Sequence, residues 1–140
     1  SFNFDGAFDY LSQALVYMDN HIGTWHLYAW TCLLKDNIED AKKAFNVALN
    51  LNDKFGDTYG GLAVIAFVEG DLSNAEKLSK KGIRLDKTSA SSQYAKVLLE
   101  EKSGQEDKAL ERVQHLLSRN SHLTEQTYID LISRVIGKQE

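Results

Sequence analysis

The side chains best able to do chemistry in this 140-residue chain are four histidines, one cysteine and several paired carboxylates. Histidine with cysteine suggests either a metal site or an activated thiol. The spacings support neither. His21, His26, His115 and His122 include no pair four residues apart, the separation that sets two ligands on one helix face, and Cys32 is the single thiol. Cys32 stands six residues after His26, about 240° around a helix, so the two do not face each other. Glu39 with Asp40, Glu100 with Glu101 and Glu106 with Asp107 alternate with lysines, as solvated outer faces do, and do not read as a general acid and base. No phosphate-binding glycine loop, nucleophile elbow or zinc-binding helix motif occurs. The chain reads as non-catalytic, with no metal and no cofactor.

Composition narrows the partners. With 43% hydrophobic and 26% charged residues the chain is ordinary for a globular domain. Its net charge of −4 comes without a clustered basic face, which argues against nucleic acid. No apolar run approaches the roughly 18 residues of a membrane span. One cysteine excludes an internal disulfide framework and fits a reducing, cytoplasmic setting. The chain opens on Ser1 with no leader before its first helix, and reads as a domain excised from a larger protein.

The elements that position these residues follow a repeat. Ala41, Ala75 and Ala109 are evenly spaced, 75 − 41 = 109 − 75 = 34, each following a turn built from Asn, Asp, Gly or Gln. Between the turns, apolar residues recur at three- and four-residue spacings, as in Trp25, Tyr28, Ala29 and Cys32, then Ala41, Ala44, Phe45, Ala48 and Leu49. That is the mark of amphipathic helices. The pattern predicts helices near 4–18, 22–35, 38–51, 56–69, 72–85, 90–102, 105–118 and 124–136. Gly70 and Gly104 suit left-handed positions after helix ends, and Asn37 and Asp71 suit N-caps. The whole chain, 1–140, reads as one array. Residues 1–20 are the second helix of a truncated repeat, 22–55, 56–89 and 90–123 are repeats, and 124–137 is a capping helix. The truncation predicts that Phe4, Phe8 and Leu11 are partly uncovered and support a weak homodimer through the first helix.

Trp25-His26-Leu27-Tyr28-Ala29-Trp30-Thr31-Cys32 followed by Ala41-Lys42-Lys43-Ala44-Phe45 resembles the tetratricopeptide repeat. Tyr59, Leu62, Ala63, Ala75 and Gly82 form a second copy, with Ser79 in place of the Phe. The third copy keeps Ala109, Val113 and Leu116. Its first helix places Gln93, Lys96 and Glu100 where apolar residues are expected, unless Tyr94, Val97 and Leu98 form the buried face. The stretch Phe55-Gly56-Asp57-Thr58-Tyr59-Gly60-Gly61-Leu62-Ala63 resembles bacterial members. The resemblance implies an all-α, right-handed superhelical stack of helix-turn-helix repeats, with Trp25 buried and the first helix of each repeat lining a concave groove.

On that geometry the groove residues are His26, Trp30 and Leu33, then Gly60, Val64 and Phe67, then Tyr94, Leu98 and Glu101. Trp30 and Phe67 would anchor an apolar peptide or helix from a protein partner. The carboxylate clamp of one subset of the family is absent, because His26, Trp30, Gly61, Ser91 and Ala95 occupy the comparable places. The same aromatics also suit a core between repeats. Gly60 and Gly61 likewise have more than one reading, a flat patch for a ligand, close packing against a neighbouring helix, or a late helix start after Asp57. The expected function is a non-catalytic protein-interaction module. The alternatives are a homodimerisation domain and a regulatory appendage of an enzyme outside this fragment.

Overall fold

The computed structural model describes residues 4–103. The side chain of Phe4, the helices expected near 105–118 and 124–136, Gly104, His115 and His122 lie outside the described residues. Six α-helices fill the described stretch, and it contains no strand: α1 (Phe4–Tyr17), α2 (Ile22–Leu34), α3 (Ile38–Leu51), α4 (Gly56–Val68), α5 (Leu72–Leu85) and α6 (Ala90–Lys102). Each end falls within one residue of the periodicity-based expectation. Their bounds repeat: α2, α4 and α6 begin at Ile22, Gly56 and Ala90, so that 56 − 22 = 90 − 56 = 34, and α1, α3 and α5 follow the same step at both ends.

The step is set by two matching turns. Asp36 and Gly70, which occupy the same place in successive repeats, take left-handed backbone conformations with φ of 63° and 85°. The next residue then has two tasks. Its backbone closes the helix behind it, Asn37 N–H donating to the Cys32 carbonyl at 2.8 Å and Asp71 N–H to that of Ala66 at 2.9 Å. Its side chain opens the helix ahead, accepting the Asp40 N–H in one case and the Asn74 N–H in the other, both at 3.2 Å. α2 is capped by the His21 ring and α6 by the Ser89 hydroxyl, whereas α4 begins at Phe55 without a side-chain cap.

The chain divides into two compact units, Ser1–Lys54 and Phe55–Glu140, and each is described by itself. In the first, α2 packs against α1 and α3. Ala29, Ala41, Ala44 and Ala48 are at most 2% exposed, small side chains that let the helix axes approach. Phe45 is fully buried and meets Trp30 edge to face, ring centroids 5.3 Å apart. α1 joins α2 through buried Leu11 and Leu15, through Phe8 tilted on Tyr28 at 5.3 Å, and through Lys35. The Lys35 ammonium lies 2.8 Å from Asp5 Oδ1 and 4.5 Å from the centre of the Phe8 ring. The expectation of a partly uncovered Leu11 is corrected accordingly. Leu11 is buried, because α2 supplies the partner surface, whereas Phe8 is half-buried, as expected.

In the second unit α4, α5 and α6 pack mutually. α4 is apolar nearly all round and buried along most of its length. Its crossings depend on glycine. A Cβ on Gly60 would stand 2.2 Å from Ser91 Oγ and 2.4 Å from Ser92 N, and one on Gly82 would stand 2.1 Å from Ser92 Oγ. Of the readings of Gly60, close packing against a neighbouring helix is the one found, and the late helix start is not, since α4 begins at Gly56. On α6, Tyr94, Val97 and Leu98 are buried and Gln93, Lys96 and Glu100 are half-buried, so the third copy uses its alternative apolar face. No helix among the described residues is long and apolar enough to cross a membrane.

Gly60→Ala should lower stability by about 1–2 kcal/mol in urea unfolding, because overpacking against α6 outweighs the gain in helix propensity. Unchanged or increased stability would contradict the close crossing. Asp36→Gly should raise stability by about 0.5–1 kcal/mol by relieving a left-handed non-glycine residue, and a loss would show that Asp36 is not strained.

Candidate functional site

Of the nine residues expected to face a groove, most are in the core. Trp30, Leu33, Val64, Tyr94 and Leu98 are all 7% exposed or less, and Gly60 is buried beneath Ser91 and Ser92. His26 and Phe67 are half-buried, and Glu101 is exposed. The assignment of a ligand-facing strip to Trp30 and Val64 is therefore corrected: Trp30 fills the space over Phe45, and Val64 is wholly enclosed. The two tryptophans differ in the opposite sense to that expected. Trp25 is half-buried, its ring edge-on to Tyr28 and its indole N–H donating to the Asp19 carbonyl at 2.6 Å.

The first unit gathers aromatic and titratable groups around α2. His26 and Trp30 both lie against Phe45, with centroids 5.8 and 5.3 Å away. Tyr28 and Cys32, one helical turn apart, interact through their polar ends. Burial pushes the Tyr28 hydroxyl up to about 12 and the fully buried Cys32 thiol up to about 11. A thiol so held stays protonated near neutrality and is a poor nucleophile. The sequence-level reading of Cys32 as an enclosed small side chain agrees with this geometry.

The second unit contains a hydroxyl cluster that sequence reasoning missed. Ser89 Oγ lies 2.5 Å from Asp57 Oδ1 and 2.8 Å from Ser92 Oγ. Ser91 Oγ lies 3.2 Å from both Asp57 Oδ1 and the Asp57 carbonyl, and Ser92 Oγ donates to the Gly56 carbonyl at 3.1 Å. Ser79 Oγ donates to the Ser92 carbonyl at 3.1 Å. Asp57 accepts from both the Ser89 and the Ser91 hydroxyl, and no histidine or lysine belongs to the set. The arrangement satisfies buried polar groups and ties the start of α4 to the start of α6. Among the described residues, no buried side-chain nitrogen or oxygen lacks a partner.

A cleft of about 490 Å³ lies between α5 and α6, with Leu72, Leu99 and Ser79 among its lining and Glu76, Lys80 and Lys96 at its polar edge. Lys80 lies 2.7 Å from Glu76 and holds that carboxyl below its usual range. Both signs of charge occur around the cleft, so it selects no ligand charge. No group of three or more His, Cys, Asp or Glu side chains able to hold a metal ion occurs among the described residues.

Comparison of the chain with models of known protein families gives no match. Comparison with curated proteins gives none either.

The Cys32 environment yields a direct test. At pH 8, iodoacetamide should label the folded chain far more slowly than the urea-unfolded chain, and equal rates would show that the thiol is reachable. The sign of the accompanying pH effect follows from the raised folded value. The thiol's contribution to stability is intact below its ordinary value of 9.0 and is lost as pH rises from there towards about 11.

Proposed function

We propose that the chain is a non-catalytic protein-interaction module of the tetratricopeptide type. In this reading its helical hairpins stack right-handedly and take an apolar peptide or helix from a protein partner. The observation that carries the reading is the 34-residue step in the helix bounds, combined with a left-handed residue and a doubly used Asn or Asp at the same place in successive turns. That period and that helix-turn-helix unit are those of the family. Stacked hairpins are stabilised by their neighbours, and their functions lie on surfaces rather than in reactive centres. A free, buried thiol agrees with a cytoplasmic setting.

Within the second unit Phe67 is the member of the expected strip that combines an aromatic ring with partial access, and it is the proposed anchor. Panning a peptide library on the 140-residue chain should select ligands with an apolar anchor. Phe67→Ala should then weaken binding by about 2 kcal/mol while leaving helical content intact. Trp30→Ala should instead cost about 3–5 kcal/mol of stability, as emptying a core aromatic site does. Failure to select any peptide, or binding indifferent to Phe67→Ala, would defeat the proposal.

A further inference from the structure

In the sequence, Lys77, Lys80, Lys81 and Arg84 stand among Leu78, Ser79 and Gly82, and the acidic balance of the whole chain hides them. α5 collects them. At 100° per residue the four cations fall within an arc of about 100°, centred opposite the buried side of the helix, which carries Ala75, Ser79 and Gly82. All four are exposed, and Lys87, also exposed, extends the row just past the helix end. Glu76 is the one carboxylate of α5 and lies 2.7 Å from Lys80. The Lys81 ammonium stands 4.8 Å from the centre of the Tyr59 ring. Lys77 and Arg84 form no ion pair among the described residues. With Glu76 counted against the four cations, the outward face of α5 carries a net charge of +3.

The fold does not ask for this charge. One 34-residue step earlier, at the same places on α3, stand Lys43, Asn46, Val47 and Asn50. The last turn of a helix favours a cation, which accounts for Arg84 alone. Lys77 with Lys80, Lys77 with Lys81, Lys80 with Arg84 and Lys81 with Arg84 are like charges three or four residues apart, the spacing at which side chains on a helix are neighbours and repel. α5 holds this repulsion on its outward side.

We infer that the outward face of α5 docks an acidic helix of a partner protein. Carboxylates three and four residues apart on such a helix recur every 4.5–6 Å, roughly, along its axis. The cations of α5 follow the same spacing, so two helices lying side by side match charge to charge, and the repulsion within each is relieved. Same-side residues of an extended segment recur about every 6.6 Å and fall out of step. The face is one helix wide and about 10 Å long from Lys77 to Arg84. A nucleic-acid backbone or an anionic bilayer presents charge well beyond that, to a chain whose net charge is −4. The surface is on a different helix from Phe67 and stands whether or not Phe67 anchors a peptide.

The test is fluorescence anisotropy of a labelled alanine-rich helical peptide with four glutamates at three- and four-residue spacings, titrated with the 140-residue chain at low ionic strength. The chain should bind it, with a dissociation constant that rises with salt. Lys77→Glu with Arg84→Glu should raise the constant at least about tenfold with circular dichroism unchanged. Lys43→Glu with Lys54→Glu, an equal change of charge on exposed residues of the other unit, should move it less than about twofold. Lys77→Gln should weaken binding and leave Tm unchanged or higher, since it removes two like-charge pairs and no ion pair. A peptide with its four glutamates consecutive should bind several-fold more weakly. The inference would be overturned by absence of binding, by equal effects of the two charge reversals, or by a Tm lowered by Lys77→Gln. Equal affinity for the consecutive-glutamate peptide, or tighter binding to phosphatidylserine vesicles or duplex DNA than to the spaced peptide, would overturn it as well.

Discussion

One residue in each hairpin finishes one helix and begins the next, and the described architecture depends on it. Asn37 and Asp71 give their backbone N–H to the helix behind and their side-chain oxygen to the helix ahead. The turn cannot lengthen without losing one bond or the other, each satisfying a helix-end group that would otherwise need water. The left-handed residue before it reverses the chain within the same short space. Helix pairs built this way have a fixed offset, and the fixed offset is what permits alanines at matching positions to meet at the crossings.

On this common frame the two units solve packing differently. Phe45, Ala48 and His26 in the first correspond by the 34-residue step to Ser79, Gly82 and Gly60 in the second. In the first unit a large ring fills the interior and other rings lean on it. In the second the same positions are emptied of bulk, α6 approaches until glycine is required, and serine hydroxyls satisfy the polar groups brought inside. Dispersion and area burial dominate the former. Close packing with full hydrogen bonding replaces them in the latter, where any unmatched polar group would carry a penalty.

Helix bounds were legible in the sequence because each turn advertises itself through Asn, Asp or Gly flanked by periodic apolar residues. Which side of α2 meets solvent was less legible. Ala29 to Leu34 are six consecutive buried residues, and periodicity cannot identify an outward face where a helix is enclosed all round. Trp30 was therefore assigned to a groove by resemblance, and its burial against Phe45 depends on a tertiary contact that spacing does not encode. The hydroxyl cluster escaped for another reason. Thr88, Ser89, Ser91 and Ser92 resemble a polar turn, and the burial of Ser91 and Ser92 becomes visible only when Gly60 and Gly82 are seen to admit them.

The missing cap of α4 has a consequence for how the second unit assembles. Phe55 offers no side-chain acceptor to the first-turn N–H groups of α4, while two acceptors of that turn, the Gly56 carbonyl and the Asp57 carboxylate, take hydroxyl hydrogen bonds from Ser92, Ser89 and Ser91 at the start of α6. These bonds join residues more than 30 positions apart and form only when α6 is in place. The start of α4 is thereby tied to the third described helix of its unit as well as to the turn that precedes it.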